Sequence, residues 1–176
     1  MSLTYQYLLV KGAILQLDAP EDISFAGSRH ELPAWTAFIN HAEDPLGLAE
    51  LERLAAISSA AHDLTLGNYV ETSDYGYCIG ASDGRIDFRF VINPRGAEGL
   101  IEGRWALERY RSEAGSGAWK PSAVEHIQSW AARLGRTVSQ EAILEILDTE
   151  WTYPEQGVRA FVNLLGIPDI DWHWVP

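Results

Sequence analysis

The segment 75–92 constrains the fold more than any other part of the chain. It reads YGYCIGAS, then Asp83-Gly84, then RIDFRFVI. Asp-Gly is a favoured pair for the two-residue turn of a β-hairpin. A turn at this position pairs Ser82 with Arg85, and the register runs back to Tyr75 opposite Ile92. Every large apolar side chain except Val91 then falls on one face. The pattern therefore predicts an antiparallel hairpin with one buried face and one polar face.

The rest of the first half mixes strand and helix patterns. TYQYLLV at 4–10 and NYVET at 68–72 are typical of strands. Pro33 precedes apolar residues at helical spacing, which predicts a helix over 33–42. Asp44-Pro45, a cap residue followed by proline, predicts the start of a second helix.

The second half is helical by pattern. Capping signals and apolar stripes predict helices over 98–112, 122–134, 139–150 and from Pro154 onward. We therefore expect an α+β fold: a small antiparallel β-sheet, a meander with its hairpin at Asp83-Gly84, packed with N-terminal helices and a C-terminal helical layer. The length suits one domain over 1–176, with a strand-rich part with two early helices at 1–93 and a mainly helical part at 94–176.

The chain is strongly acidic. Thirteen basic residues against 25 acidic ones give a formal net charge of −12. This charge disfavours direct binding to nucleic-acid phosphates and to anionic membranes, and it favours a basic protein as partner. The single cysteine forms no internal disulfide, so we expect a cytoplasmic protein.

The polar face of the hairpin is a candidate ligand site. Glycines make a low floor there, and arginines beside it offer planar recognition of carboxylate or phosphate. Cys78 lies opposite Arg89 in the predicted register, where the guanidinium would lower the pKa of the thiol; an inert strand cysteine is the competing interpretation. Arg95 precedes a helix in a glycine-bearing loop suited to anions. The possible ligand face is Arg85, Asp87, Arg89, Arg95 and Cys78, unless these charges form an internal salt-bridge surface.

No pattern of catalytic or metal-ligating residues is complete. The five histidines form neither HExxH nor a spaced Cys/His cluster, so we predict no catalytic residue, no cofactor and no metal site. In the terminal DIDWHWVP, Asp169, Asp171 and His173 alternate with Ile170, Trp172 and Trp174, a spacing that resembles a metal site. One short strand rarely supplies a whole site. We expect the apolar face of this segment to pack and its acidic face to be available for interaction.

The helix predicted over 139–150 carries only acidic charges. Glu141, Glu145, Asp148 and Glu150 lie on it without Lys or Arg, which disfavours a helix-turn-helix reading of DNA. We expect an acidic cytoplasmic protein-binding module, such as an immunity or inhibitor protein that neutralises a basic partner. A small-molecule-binding domain or enzyme using Arg85, Arg89 and Arg95 is the first alternative, and a nucleic-acid mimic is the second. The residues expected in protein interaction are Glu141, Glu145, Asp148, Glu150, Asp169, Asp171, Trp172 and Trp174.

Overall fold

One six-stranded antiparallel sheet organises the chain. The computed structural model describes residues 4–40, 45–71, 74–113 and 119–170. The strands are β1 (Thr4–Lys11), β2 (Gly27–Leu32), β3 (Trp35–Asn40), β4 (Leu64–Glu71), β5 (Tyr75–Ser82) and β6 (Arg85–Ile92). Their order in the sheet is β2-β3-β1-β4-β5-β6, so β4, β5 and β6 form the predicted meander.

Six helices accompany the described sheet, five of them after the last strand. They are α1 (Leu48–His62), α2 (Pro94–Glu98), α3 (Ile101–Glu113), α4 (Trp119–Arg133), α5 (Gln140–Asp148) and α6 (Pro154–Leu164). The prediction of an α+β fold with early strands and late helices is confirmed. That the whole chain forms a single domain stays a prediction. None of the helices within the described ranges is both long and apolar enough to cross a bilayer.

Helices cover both faces of the β5–β6 hairpin. On one face, Glu52 of α1 receives hydrogen bonds from Tyr77 and Arg89 of the sheet, and Trp105 of α3 meets the Tyr77 ring edge-on. All eight residues of β5 are buried. The prediction of a hairpin with one solvent-facing polar side is therefore wrong, because helices from both ends of the chain enclose it.

Aromatic rings fill the opposite face of the hairpin. Phe88 and Phe90 lie side by side, with centroids 6.2 Å apart, and Phe161 of α6 meets both rings edge-on. Trp130 of α4 contacts Phe88 edge-on at 5.6 Å. Edge-to-face pairs at these distances add to the stabilisation from buried area. This aromatic cluster attaches the C-terminal helices to the sheet.

A β-bulge changes the register of the hairpin. Ser82 pairs with Arg85 as predicted, and Ala81 pairs with Ile86, but Gly80 pairs with Phe88. Asp87 is therefore an extra, unpaired residue, and every later pair is shifted by one from the predicted register. A methyl group at Gly80 would lie 2.0 Å from the Phe88 ring, so the glycine floor accommodates that ring. A ligand on the glycine floor, as predicted, therefore has no space at Gly80.

Residues predicted as the first helix form a strand. β3 occupies positions 35–40 and all six of its residues are buried. Because both faces are covered, the apolar residues show no alternation, and Trp35, Phe38 and Ile39 match a helical spacing by coincidence. The next helix begins at Leu48, where the Glu50 carboxylate accepts from the Gly47 N–H at 2.6 Å. The cap predicted at Asp44 lies outside the described residues.

Candidate functional site

Helix α5 separates an apolar face from an acidic one. Its start is fixed by Ser139, whose Oγ accepts from the Ala142 N–H at 3.1 Å. Glu141, Glu145 and Asp148 are exposed and lie at i, i+4 and i+7, which places them on one side of the helix. The buried residues of the helix are Ile143, Ile146 and Leu147. With Glu150, which follows the helix and is also exposed, the three acids form what we call the α5 acidic face.

A cleft of about 440 Å³ adjoins this face, between the end of α5 and helix α2. We call it the α5 cleft. The charged and aromatic side chains that line it are Asp74, Arg95, Asp148, Glu150 and Trp151. Three carboxylates thus share the cleft with one guanidinium. An ion pair across the cleft joins Arg95 Nη1 and Glu150 Oε2 at 3.9 Å, and both side chains are largely exposed.

One wall of the cleft is rigid. The Asn93 amide donates to the Trp151 carbonyl at 2.8 Å and accepts from the Trp151 N–H at 2.9 Å. The indole Nε1 of Trp151 donates to the Ile146 carbonyl at 3.1 Å, near the C-terminal end of α5. These bonds use the polar atoms of Trp151 internally and hold its ring as a fixed surface. A largely exposed arginine and an internally hydrogen-bonded indole therefore line the cleft together with the carboxylates.

Arg89 is engaged inside the protein. Its Nη2 donates to Glu52 Oε2 at 3.0 Å and its Nε donates to Oε1 of the same carboxylate. Both side chains are 8% exposed. Burial lowers the pKa of Arg89, but the hydrogen bond and charge of Glu52 outweigh burial and leave that pKa raised. Arg89 thus belongs to an internal salt bridge, the interpretation that competed with a ligand face.

Further groups complete this buried network. The Tyr77 hydroxyl donates to Glu52 Oε1 at 2.5 Å, and Arg109 Nη2 donates to Glu52 Oε2 at 3.3 Å. Arg109 also lies over the Trp105 ring, 5.0 Å from its centroid. Burial, and then the Glu52 charge, raise the pKa of Tyr77 well above its usual value. Four polar groups thus satisfy one another beneath α1 and α3.

The surroundings of Cys78 do not favour a reactive thiol. It lies opposite Phe90, not Arg89, because of the bulge. It is fully buried, and burial raises the pKa of its thiol well above the usual value. The predicted lowering of this pKa by Arg89 is therefore wrong, and the inert-cysteine interpretation agrees with the structure.

Arg85 and Asp87 lie apart from the other predicted ligand residues. They line a second cleft, of about 410 Å³, between the turn end of the hairpin and α4. We call it the hairpin cleft. Its polar lining also includes Ser82, His126, Ser129 and Arg133. Arg85, Arg89 and Arg95 thus occupy three separate locations, and the single Arg-lined face expected from the sequence does not form.

The C-terminal segment packs as far as it is described. Ile170 is 3% exposed, and Asp169 accepts from Arg159 Nε of α6 at 2.6 Å. The predicted packing is confirmed for Ile170. The predictions for Asp171, Trp172 and Trp174 concern positions outside the described residues.

Sequence reasoning missed several residues that the fold brings together. Glu52 follows Leu48 by four positions and therefore falls on the apolar stripe of α1, an observable signal of a buried carboxylate with a partner. Trp151 gave no comparable signal, since its role depends on the distant Asn93. His126 and Arg133 share a helical side of α4, but only the fold places them beside Arg85 and Asp87.

Known proteins give no direct guide to this site. Comparison with protein-family models, with curated proteins and with solved structures finds no match. Within the ranges that the structure describes, no group of three or more His, Cys, Asp or Glu side chains is arranged to hold a metal ion. The geometry of the two clefts and the charge of the surface are therefore the features that bear on function.

Proposed function

We propose that this chain is an acidic protein-binding module that holds or neutralises a basic partner, as an immunity or inhibitor protein does. The observation that carries the proposal is the α5 acidic face, in which three exposed carboxylates lie at i, i+4 and i+7 on a helix without Lys or Arg and Glu150 follows them. The formal net charge of −12 also attracts a basic partner, over a longer range.

The α5 cleft supplies a place for a basic side chain of the partner. The C-terminal end of a helix carries partial negative charge, and Asp74, Asp148 and Glu150 add formal charges around it. The Trp151 ring offers a surface for a guanidinium or ammonium group. Arg95, which is 3.9 Å from Glu150 and 87% exposed, can move aside without leaving a buried charge. The cleft therefore accepts an arginine or lysine side chain.

Exposed aromatic area near the cleft suits a protein partner. Tyr153 is 50% exposed and lies two residues beyond Trp151. Tyrosine is enriched in protein interfaces because its rigid ring contributes area at little entropic cost. The acids then orient the partner during approach, and the aromatic residues supply contact once it has docked.

The test is association with basic proteins at two ionic strengths. The immobilised chain is exposed to lysate of its source cells at about 30 mM and about 0.5 M salt, where the Debye length falls from roughly 17 Å to roughly 4 Å. A basic protein should be enriched at low salt and lost at high salt. After purification, its association rate should fall about tenfold in the triple variant Glu141→Gln, Glu145→Gln, Asp148→Asn.

A matched variant controls for total charge. Glu21→Gln, Glu108→Gln and Glu125→Gln remove the same number of charges from exposed positions on other elements. The association rate of this variant should stay within about threefold of the parent chain, because only long-range steering is weakened. Equal losses in both triple variants would contradict a site on α5, and no enrichment of any basic protein would contradict the proposed function.

Competition experiments with the purified partner distinguish a nucleic-acid mimic from other protein-binding modules. If the carboxylates imitate phosphates, the partner is a DNA- or RNA-binding protein and duplex or single-stranded nucleic acid competes with the chain for it. If nucleic acid leaves binding unchanged, the acidic face serves a partner without a nucleic-acid site. The cytoplasmic location stays an expectation from cysteine content and is tested by the compartment in which the partner occurs.

A further inference from the structure

The hairpin cleft combines charged side chains of both signs with apolar walls. It opens beside the Asp83-Gly84 turn and has Trp130 and Ile86 as its apolar walls. Its charged lining is Arg85, Asp87, His126 and Arg133. A volume of about 410 Å³ is within the range of small-molecule sites. Both signs of charge are therefore present around an apolar surface.

The β-bulge directs Asp87 into this cleft. Asp87 is the extra residue between the pairs Ala81–Ile86 and Gly80–Phe88. Bulges change the direction of a side chain, and they are common beside functional sites. Among the described residues, Asp87 Oδ2 is buried without any hydrogen-bond partner. Since buried carboxylate oxygens are nearly always paired, this oxygen is an acceptor that lacks its donor.

The two arginines of the cleft differ in what they can still bind. Arg133 Nη1 donates to Asp83 Oδ2 at 2.8 Å and Nη2 donates to Asp63 Oδ1 at 2.5 Å, so its charge is already matched. Arg85 is exposed and forms no ion pair within 4.0 Å with another described residue. The cleft thus presents one guanidinium available to an anion and one carboxylate that needs a donor.

We propose that the hairpin cleft binds a free zwitterionic α-amino acid. The ligand carboxylate pairs with the Arg85 guanidinium, whose planar fork fits a carboxylate with two hydrogen bonds. The ligand ammonium donates to the carboxylate of Asp87, a partly exposed residue of the lining. The ligand side chain lies against Ile86. This site is separate from the α5 cleft and does not depend on the proposed protein partner.

The experiment is an NMR titration of the ¹⁵N-labelled full chain with each of the twenty standard amino acids. The reporters are the indole N–H of Trp130 and the backbone amides of 82–87. At least one amino acid should give a saturable shift with a Kd of about 1 mM or tighter. For that amino acid, the N-acetyl derivative, which lacks the ammonium, and the carboxamide, which lacks the carboxylate, should each bind about tenfold more weakly.

Variants of the cleft test the assigned contacts. Arg85→Gln and Asp87→Asn should each weaken binding about tenfold, while Glu108→Gln, a change of one exposed charge on α3 outside the lining of the cleft, should leave Kd within twofold. Arg85 is exposed, so its variant keeps the fold, as the amide spectrum would show. Absence of a saturable shift for all twenty amino acids, as expected if water alone satisfies Asp87, would overturn the proposal. Equal affinity of the derivatives, or parental affinity in both charge variants, would also overturn it.

Discussion

Glu52 and Arg89 form an ion pair in which both side chains are 8% exposed. The pair joins the middle of α1 to the edge strand β6, and the Tyr77 hydroxyl donates to the same carboxylate. Charges at such depth are stable only when each hydrogen-bonding atom has a partner. The pair therefore fixes how α1 lies on the sheet, and it removes Arg89 from the residues available to a ligand.

Loss of the Glu52 charge should destabilise the protein strongly. Glu52→Gln leaves the Arg89 guanidinium buried without a counter-charge, so we expect the free energy of unfolding to fall by about 3 kcal/mol. Urea denaturation measures the change. Glu108→Gln, on an exposed surface of α3, is the control and should change stability by less than about 0.5 kcal/mol.

A double variant separates the cost of an unpaired buried charge from the cost of lost packing. Because an apolar pair needs no desolvation, Glu52→Leu with Arg89→Met should be no less stable than Glu52→Gln alone. If the double variant were much less stable, the cost would reflect lost packing around α1 and not the unpaired charge.

Cys78 should be unreactive in the folded protein. Burial raises the pKa of its thiol, so the nucleophilic thiolate is scarce at neutral pH and no reagent reaches it. Labelling with a disulfide reagent at pH 8 should proceed only as fast as the chain opens, and it should become rapid in denaturant. Rapid stoichiometric labelling of the native chain would show that β5 is accessible.

Alkaline pH should destabilise the fold through its buried tyrosines. Burial is the largest cause that raises the pKa of Tyr7 and of Tyr77, and Glu52 adds to the effect at Tyr77. The folded chain therefore keeps these protons above pH 10, where the unfolded chain releases them. The contribution of these tyrosines to the free energy of unfolding is fully present below about pH 10. It is lost as pH rises further, by about 1.4 kcal/mol per pH unit for each such tyrosine.

Urea unfolding between pH 8 and 11.5 measures this dependence. The Tyr77→Phe variant removes one titrating group and should show a shallower decline than the parent chain. A parent stability that is independent of pH over this range would contradict the burial of these hydroxyl groups.

Gly80 should tolerate no side chain. A Cβ at this position would lie 2.0 Å from Phe88 Cε1, inside the aromatic cluster that holds α4 and α6. Gly80→Ala should therefore lower the free energy of unfolding by about 1–3 kcal/mol through overpacking. Gly99→Ala is the control, since its Cβ would meet no atom closer than 3.9 Å. Equal stability of both variants would indicate that Phe88 can move away from β5.

The bulge beside Gly80 shows where sequence reasoning reached its limit. The Asp83-Gly84 turn follows from local chemistry, and both residues have the positive φ angles, 50° and 79°, that such a turn requires. The shift at Asp87 depends on where the Phe88 ring finds space, which is decided by Gly80 across the strand and by helices far along the chain. Local alternation cannot encode that choice. The uninterrupted register predicted from the sequence therefore places Phe88 and Arg89 on the wrong faces of the hairpin.

The same distinction separates the candidate sites. The α5 acidic face could be predicted because a helix repeats its faces from sequence alone, and α5 lies within the predicted span 139–150. The two clefts could not be predicted, since Arg95 meets Glu150, and Arg85 lines the same cleft as His126, only after helices return to the sheet. The helix predicted over 33–42 is wrong for a related reason: β3 is covered on both faces, and such a strand loses its alternation.

Ile170 should anchor the C-terminal segment. Its side chain is 3% exposed, whereas the adjacent Asp169 forms a partly exposed ion pair with Arg159. Ile170→Ala removes buried methyl groups and should lower the free energy of unfolding by about 2–4 kcal/mol, as for other core truncations. Asp169→Asn, the matched neighbour, should cost less than about 1 kcal/mol because exposed ion pairs contribute little. Urea unfolding compares the two. If Ile170→Ala weakened binding to a basic partner while stability stayed unchanged, the segment would be part of an interface and would not be a packed end of the core.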